Sequence, residues 1–253
     1  MSHAYGDIFA KVYNKMWSGF ALSVANKIIE YYKETEVYKN NKVILDLCCG
    51  TGQMAHEFLK EDFEVIGIDI SSSMLNYAKE NAKEFIKNKR AVFIQADASS
   101  FSLDTEVGLV ISTFDSLNHL ESKKALKGCF ESVFNSLARD GYFIFDLNTR
   151  YGLKRWNSIN INDSDDIFLI NRGIFDEEKN RAVMRITGFV KEINGLFIRF
   201  DEVIYNYVYD LNEVKDMLNE IGWGEVYFAN INDLSNKIDE PEREGRIFII
   251  ARK

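Results

Sequence analysis

The stretch Val43-Ile44-Leu45-Asp46-Leu47-Cys48-Cys49-Gly50-Thr51-Gly52 constrains this chain more than any other part of it. An apolar run of this length reads as a buried strand, and the glycines after it turn the chain sharply. Gly50 and Gly52 reach backbone angles closed to other residues and leave no side chain in the way of a ligand. A turn of this kind opens onto a helix N-terminus, where unpaired N–H groups and the helix dipole favour a polar or anionic group. A second strand, Phe63-Glu64-Val65-Ile66-Gly67-Ile68-Asp69, ends in a carboxylate. A glycine turn after one strand and an acid at the tip of the next make a nucleoside-binding site.

Strand and helix alternate around this pair. Residues 7–38 carry apolar positions near helical spacing, and Tyr5, Phe9, Tyr13 and Trp17 recur every four residues on one face. A strand is expected at 42–47 and a helix at 53–61. A further helix is capped by Ser71 to Ser73 and buries Met74, Leu75, Ala78 and Phe85. Strands follow at 91–95, 107–112 and 142–147, the last after a helix at 122–137 and the turn Arg139-Asp140-Gly141. This order implies a parallel sheet with helices on both faces. The pattern then changes to three strand-like runs, at 167–175, 181–193 and 196–209. They are separated by Asp176-Glu177-Glu178-Lys179-Asn180 and by Asn194-Gly195, the latter a strong hairpin signal. We read 151–209 as a small antiparallel, three-stranded insertion. Residues 1–150 and 210–253 form the main α/β domain, which resumes with a helix at 211–221 and strands at 224–230 and 246–251.

Leu45-Asp46-Leu47-Cys48-Cys49-Gly50-Thr51-Gly52, taken with Gly67-Ile68-Asp69-Ile70-Ser71-Ser72-Ser73-Met74-Leu75-Asn76-Tyr77-Ala78, strongly resembles the class I S-adenosylmethionine-dependent methyltransferases. The likeness is specific from about residue 43 to 120 and follows element order elsewhere. Members of that family often have glycine where Cys48 stands, and a small residue there is expected to leave the geometry unchanged. The resemblance implies a Rossmann-like, doubly wound, seven-stranded and mostly parallel sheet whose last strand is antiparallel, with a helical N-terminal lid. It implies S-adenosylmethionine as cofactor, S-adenosylhomocysteine as product, and methyl transfer by in-line displacement to N or O of a small-molecule acceptor. Many small-molecule methyltransferases, aminosugar N-methyltransferases among them, place a similar antiparallel insertion over the active site.

Site residues follow from chemistry and from the resemblance together. A ribose diol is matched by a carboxylate accepting two hydrogen bonds, which is the place of Asp69. By resemblance, Ile70 and Met74 wall the adenine, and Asp97 with Ala98 meets its amino group. The methionine tail lies along the backbone of Cys48, Gly50 and Gly52, where Asp46 either orients the loop or meets the amino group. The segment Thr113-Phe114-Asp115-Ser116-Leu117-Asn118-His119 matches the wall between cofactor and acceptor. Thr113 or Phe114 falls near the amino group, and Asn118 and His119 on the acceptor side. Tyr5, Tyr13 and Trp17 form either a core stripe or the lid, in which Tyr5 and Tyr13 bond the methionine carboxylate or shape the acceptor pocket. His119, which titrates near neutrality, is the candidate general base unless it serves packing, and Tyr13 is the second catalytic candidate. Arg150, Arg155 and Trp156 stand at the expected rim, to bind the acceptor or to hold the insertion.

Charge and composition narrow the partners. A net charge of −8 over 253 residues argues against extended phosphate-backbone binding, so no nucleic acid partner is expected. No signal peptide is visible at the start, and no apolar run approaches the roughly 20 residues needed to span a bilayer. Cys48 and Cys49 are adjacent and Cys129 is distant, a pattern of buried thiols in the reducing cytoplasm. No acid cluster marks a metal site, and a monomer or a homodimer paired through edge strands is expected. Two rival readings remain. Gly50-Thr51-Gly52-Gln53-Met54-Ala55 fits the short G-x-G-x-x-[GA] pattern of NAD-dependent oxidoreductases. A non-catalytic S-adenosylmethionine-binding protein would carry the same turn and acid.

Overall fold

The computed structural model describes residues 6–253, Ser18 by its backbone only, so Tyr5 lies outside the described residues. Two helices, α1 (Asp7–Met16) and α2 (Ser18–Lys33), precede β1 (Val43–Leu47), α3 (Gln53–Lys60), β2 (Glu64–Asp69), α4 (Ser72–Asn81), α5 (Lys83–Lys87), β3 (Ala91–Gln95) and β4 (Val107–Ser112). Then come α6 (Lys123–Ser136), β5 (Leu137–Asn148), α7 (Arg150–Lys154), β6 (Ser158–Asp163), β7 (Ile167–Asp176), β8 (Arg181–Lys191) and β9 (Phe197–Tyr207). The chain closes with α8 (Leu211–Ile221), β10 (Glu225–Asn230), β11 (Asp233–Lys237) and β12 (Arg246–Arg252).

The main sheet runs β11-β10-β12-β5-β4-β1-β2-β3. β1 pairs in parallel with both β2 and β4, so strand order reverses direction at β1. Such a switch point leaves a crevice beyond the carboxyl ends of the strands, the usual place for a ligand in an open α/β sheet. β12 is antiparallel to both β5 and β10, as the resemblance implies. All six residues of β4 are buried, because helices cover both faces. One face packs Ala25, Ile28 and Phe58 of α2 and α3; the other packs Leu126, Phe130 and Leu218 of α6 and α8.

The sheet has eight strands, one more than expected. The extra strand, β11, meets β10 in antiparallel fashion at Ala229↔Lys237 and Asn230↔Asp233 and buries only Leu234, so it carries almost no apolar alternation. The expected turn at Arg139-Asp140-Gly141 sits inside β5 as an excursion. Val107 pairs with Leu137 but Leu109 with Tyr142, and Asp140 takes the left-handed φ of 62°.

A second, antiparallel sheet, β6-β7-β8-β9, has four strands where three are expected. Every residue of β6 is exposed, and its Ser, Asn and Asp content disfavours strand on propensity alone. α1 lies between this sheet and the main body. Phe9, Ala10 and Val12 are buried with Met74 of α4 and with Ile186 and Phe200 of the small sheet. Lys11 pairs with Glu192 at 2.9 Å, the Gly6 N–H donates to Glu202 at 3.1 Å, and Ser73 Oγ–H donates to Asp7. Phe9 is buried in this core and, with Tyr13 and Trp17 farther along the same face, also borders a cavity. Among the described residues no helix is long and apolar enough to cross a membrane.

Candidate active site

The turn after β1 holds three left-handed residues, Cys48 (φ 62°), Gly50 (φ 55°) and Gly52 (φ 75°). The Gly50 N–H donates to Asp69 Oδ2 and the Ser71 N–H to Asp69 Oδ1, each at 2.8 Å. The carboxylate at the tip of β2 therefore ties the glycine turn to the start of α4. An ionised carboxylate has about four lone-pair sites, so capacity remains for a ligand beyond these bonds. Burial pushes the Asp69 carboxyl above its ordinary value, and the Ser71 and Gly50 N–H groups pull it part of the way back. A Cβ at Gly50 would meet only the Tyr13 ring, at 3.7 Å, so the glycine leaves the cavity wall bare.

Gly52 and Asp46 work behind the wall. A Cβ on Gly52 would lie 3.0 Å from the Ala78 Cβ, so the glycine lets α3 and α4 approach. Asp46 is 2% exposed and accepts from the Ala55 N–H at 3.0 Å. Of its two expected roles it takes the first, orienting the loop and the start of α3. Burial raises its carboxyl to about 7, against the pull of the Ala55 N–H.

A cavity of about 740 Å³ opens in front of the turn. Cys48, Gly50 and Asp69 form its floor. Ile70, Met74, Ala96 and Ala98 make an apolar slot with Asp97 at its edge. Asp97 shapes its own loop by accepting from the Ser99 N–H at 2.8 Å. Phe114, Asp115 and Ser116 line the opposite side. The Thr113 carbonyl accepts from Ser116 Oγ–H, and Thr113 itself is not among the residues lining the cavity.

That opposite wall rests on a network that the sequence did not disclose. Phe114 and Asp115 are both left-handed, at φ 65° and 50°. Their N–H groups donate to the two oxygens of the fully buried Asp146, at 3.0 and 2.5 Å. Arg246 of β12 bridges Asp146 at 2.9 Å and Asp115 at 2.5 Å, and its guanidinium lies over Phe20 and Phe114. Burial works against the guanidinium charge, but Asp146 and Asp115 more than offset it. Burial likewise raises the Asp146 carboxyl, with Arg246 opposing. Arg246 is the one Arg or Lys among the lining residues, against Asp69, Asp97, Asp115 and Glu121.

Tyr13 stacks on Trp17 at 5.5 Å and faces Phe114 at 6.3 Å. Burial, then Asp115, Asp69 and Asp46, raise its hydroxyl pKa. It keeps its proton at neutral pH, so its expected catalytic role narrows to hydrogen-bond donation. His119 borders the cavity with Nδ1 2.8 Å from the Tyr205 carbonyl. A carbonyl only accepts, so Nδ1 carries the proton of that bond.

The small sheet roofs the cavity with Trp156, Asn171, Met184, Ile186, Ile204 and Asn206. Of the expected rim residues only Trp156 faces it. Arg150 lies over Phe175 and bonds Asn180 and Glu177, and Arg155 lies over the Tyr151 ring. Neither arginine lines the cavity, which sets aside the acceptor-binding alternative and leaves the other, with Arg150 held to the turn between β7 and β8 and Arg155 to α7. Asn118 corrects likewise: it is fully buried, donates to the carbonyls of Asn148 and Tyr207 at 3.1 and 2.9 Å, and accepts from the Asn148 N–H at 2.9 Å. Arg246, Asn171 and Asn206 gave no signal in the sequence, since nothing in their local spacing marks them.

Comparison with known proteins accords with this geometry. The family described as "Methyltransferase domain" matches residues 44–141. YqeM of Bacillus subtilis (strain 168), named as a methyltransferase, is 28% identical over 219 residues, 85% of each chain. An S-adenosylmethionine-dependent methyltransferase from Clostridium acetobutylicum ATCC 824 superposes with a TM-score of 0.78 at 23% identity, covering 97% of each chain. The sugar N-methyltransferase KedS8 from Streptoalloteichus sp ATCC 53650 superposes at 0.76 with 17% identity, covering 100% of this chain and 96% of that one.

Proposed function

We propose that this chain, which belongs to the class I S-adenosylmethionine-dependent methyltransferases, methylates a nitrogen or oxygen of a small polar acceptor enclosed beneath its small sheet. The observation that carries the reading is one cavity with two unlike walls. One is a carboxylate-and-glycine floor with an apolar slot; the other is a roof contributed by the antiparallel sheet. The relative KedS8 is named a sugar N-methyltransferase, which favours an amine-bearing, sugar-like acceptor.

The residues present suit the cofactor. Asp69 would accept from a ribose diol, Ile70 and Met74 would flank a flat base, and Asp97 with Ala98 would meet that base's polar edge. Gly50 and Cys48 would leave room for the methionine tail, and Arg246 and Tyr13, which line the same cavity, would attract its carboxylate. When bound, S-adenosylmethionine supplies a methyl group on a positively charged sulfur, open to in-line attack. The excess of carboxylates around the cavity attracts that cation. The chain's remaining work is to position the acceptor and exclude water, which supplies much of the acceleration in such transfers. His119, its ring held by the Tyr205 carbonyl at the cavity edge, is the candidate to receive the acceptor's proton.

Calorimetric titration with S-adenosylmethionine, S-adenosylhomocysteine and NAD tests this reading. Micromolar binding of the first two, weakened at least tenfold by Asp69→Ala, is expected, because charge-assisted hydrogen bonds contribute about 1.5–3 kcal/mol each. Binding of NAD instead would return the chain to the oxidoreductase reading. Release of S-adenosylhomocysteine in the presence of small amines then distinguishes an enzyme from a binding protein.

A further inference from the structure

Among the described residues, both polar atoms of the Asn206 side chain are buried without a hydrogen-bond partner, in a residue with 0% exposure. The Oδ1 of Asn171 is in the same condition. Strand register explains why the two amides share a destination. Asn171 pairs with Ile186, Met184 with Ile204, and Ala182 with Asn206. Side chains alternate along strands, so 171 on β7, 182–186 at even numbers on β8, and 204 and 206 on β9 point the same way. Asn171, Met184, Ile186, Ile204 and Asn206 do line the cavity. Unpaired buried amides destabilise a fold, and leucine would fill the volume of asparagine at no such cost. Two amides kept in this state on an otherwise apolar roof mark the place where a ligand completes the hydrogen bonding.

We propose that Asn206 and Asn171 are the specificity-determining residues for the acceptor, and that they select a neutral ring or chain with adjacent hydroxyl groups beside the methylated atom. This rests on the methyltransferase reading above. One hydroxyl donates to Asn206 Oδ1 while its neighbour accepts from Asn206 Nδ2–H, and Asn171 Oδ1 accepts from a further donor. An apolar amine leaves all three atoms unpaired. A phosphate group at the amides satisfies only their N–H groups, and a phosphorylated acceptor enters a cavity in which the lining acids outnumber the guanidinium of Arg246. A site built to bond hydroxyl groups rejects analogues lacking them far more strongly than an apolar pocket rejects a missing methylene. Trp156 presents an aromatic wall beside the amides, suited to the C–H face of a sugar-like ring.

The test uses the full chain and four probes with S-adenosylmethionine: glucosamine, galactosamine, glucosamine 6-phosphate and cyclohexylamine. Either amino sugar is expected to exceed the other two probes by at least about tenfold in kcat/KM. Asn206→Leu should remove at least about tenfold of that preference while the Kd for S-adenosylmethionine stays within about twofold. The same substitution should raise the Tm of the ligand-free protein by about 2–4 °C, since an unpaired buried amide is gone. Asn171→Leu, at a half-buried position, provides the check should Asn206→Leu not fold. If the wild type binds S-adenosylmethionine yet favours neither amino sugar over cyclohexylamine, the proposal is overturned. It is equally overturned if the variants keep the full preference. Failure of the wild type to bind S-adenosylmethionine sinks the methyltransferase reading itself.

Discussion

Cys48 holds a left-handed φ of 62° at the first position of the cofactor turn, a conformation that costs an L-residue about 1 kcal/mol. This is the physical reason that glycine is frequent there in the family the sequence resembles. Cys48→Gly is expected to leave stability unchanged or raise it by up to ~1 kcal/mol, and Cys48→Val to lower it by more than that, as urea denaturation will read. Two positions earlier, Asp46 carries a different charge of information. Its carboxyl is raised from 3.8 to about 7 in the fold, so the native state holds a proton that the unfolded chain has released across that interval. Stability from this group is complete below about pH 4 and is lost as pH rises towards 7, by roughly 3 kcal/mol. Asp46→Asn keeps an acceptor for the Ala55 N–H and removes the titration, so the loss of Tm between pH 4 and 7 should flatten. An unchanged slope would mean that another group carries it. At this scale, Asp69 and Gly50 were legible because an acid and a glycine at strand tips have few other uses. Asn171 and Asn206 were not, because each sits in an ordinary strand, and only the register of β7, β8 and β9 turns them to one cavity.

Between elements, Arg246 is the pivotal contact. It joins β12 to the end of β5 through Asp146 and to the post-β4 turn through Asp115, across 100 and 131 residues of sequence. Arg246→Leu strands the fully buried Asp146 beside Asp115 and is expected to cost about 3 kcal/mol. Asp146→Asn in the same background should recover much of that loss, which chemical denaturation of single and double variants measures. The strands of the main sheet were legible because helices on both faces require continuous apolar runs such as β4. β6 and β11 escaped because they are edge strands whose residues are nearly all exposed, leaving little burial to pattern. α1 was legible as an aromatic stripe but not as a connector, since its Lys11 and Gly6 partners, Glu192 and Glu202, lie on the distant small sheet.

For the molecule as a whole, the cavity is bounded by three bodies: the carboxyl ends of the main sheet, the small sheet above them, and α1 between the two. Binding of cofactor should therefore slow amide hydrogen exchange in residues 48–52 and in α1 together, while the exposed β6 stays fast. Protection of 48–52 alone would detach α1 from the site.

The placement of α1 also bears on tempo. One helix borders the cavity through Tyr13 and Trp17, and it is fastened at Ser73 on one side and at Glu192 and Glu202 on the other. If the proposed methyl transfer holds, spent cofactor and methylated product would leave only once those fastenings let go, and departure rather than bond making is expected to set the pace. Turnover under saturating substrates should then fall as solvent viscosity rises, and Lys11→Ala, by loosening one fastening, should make it faster.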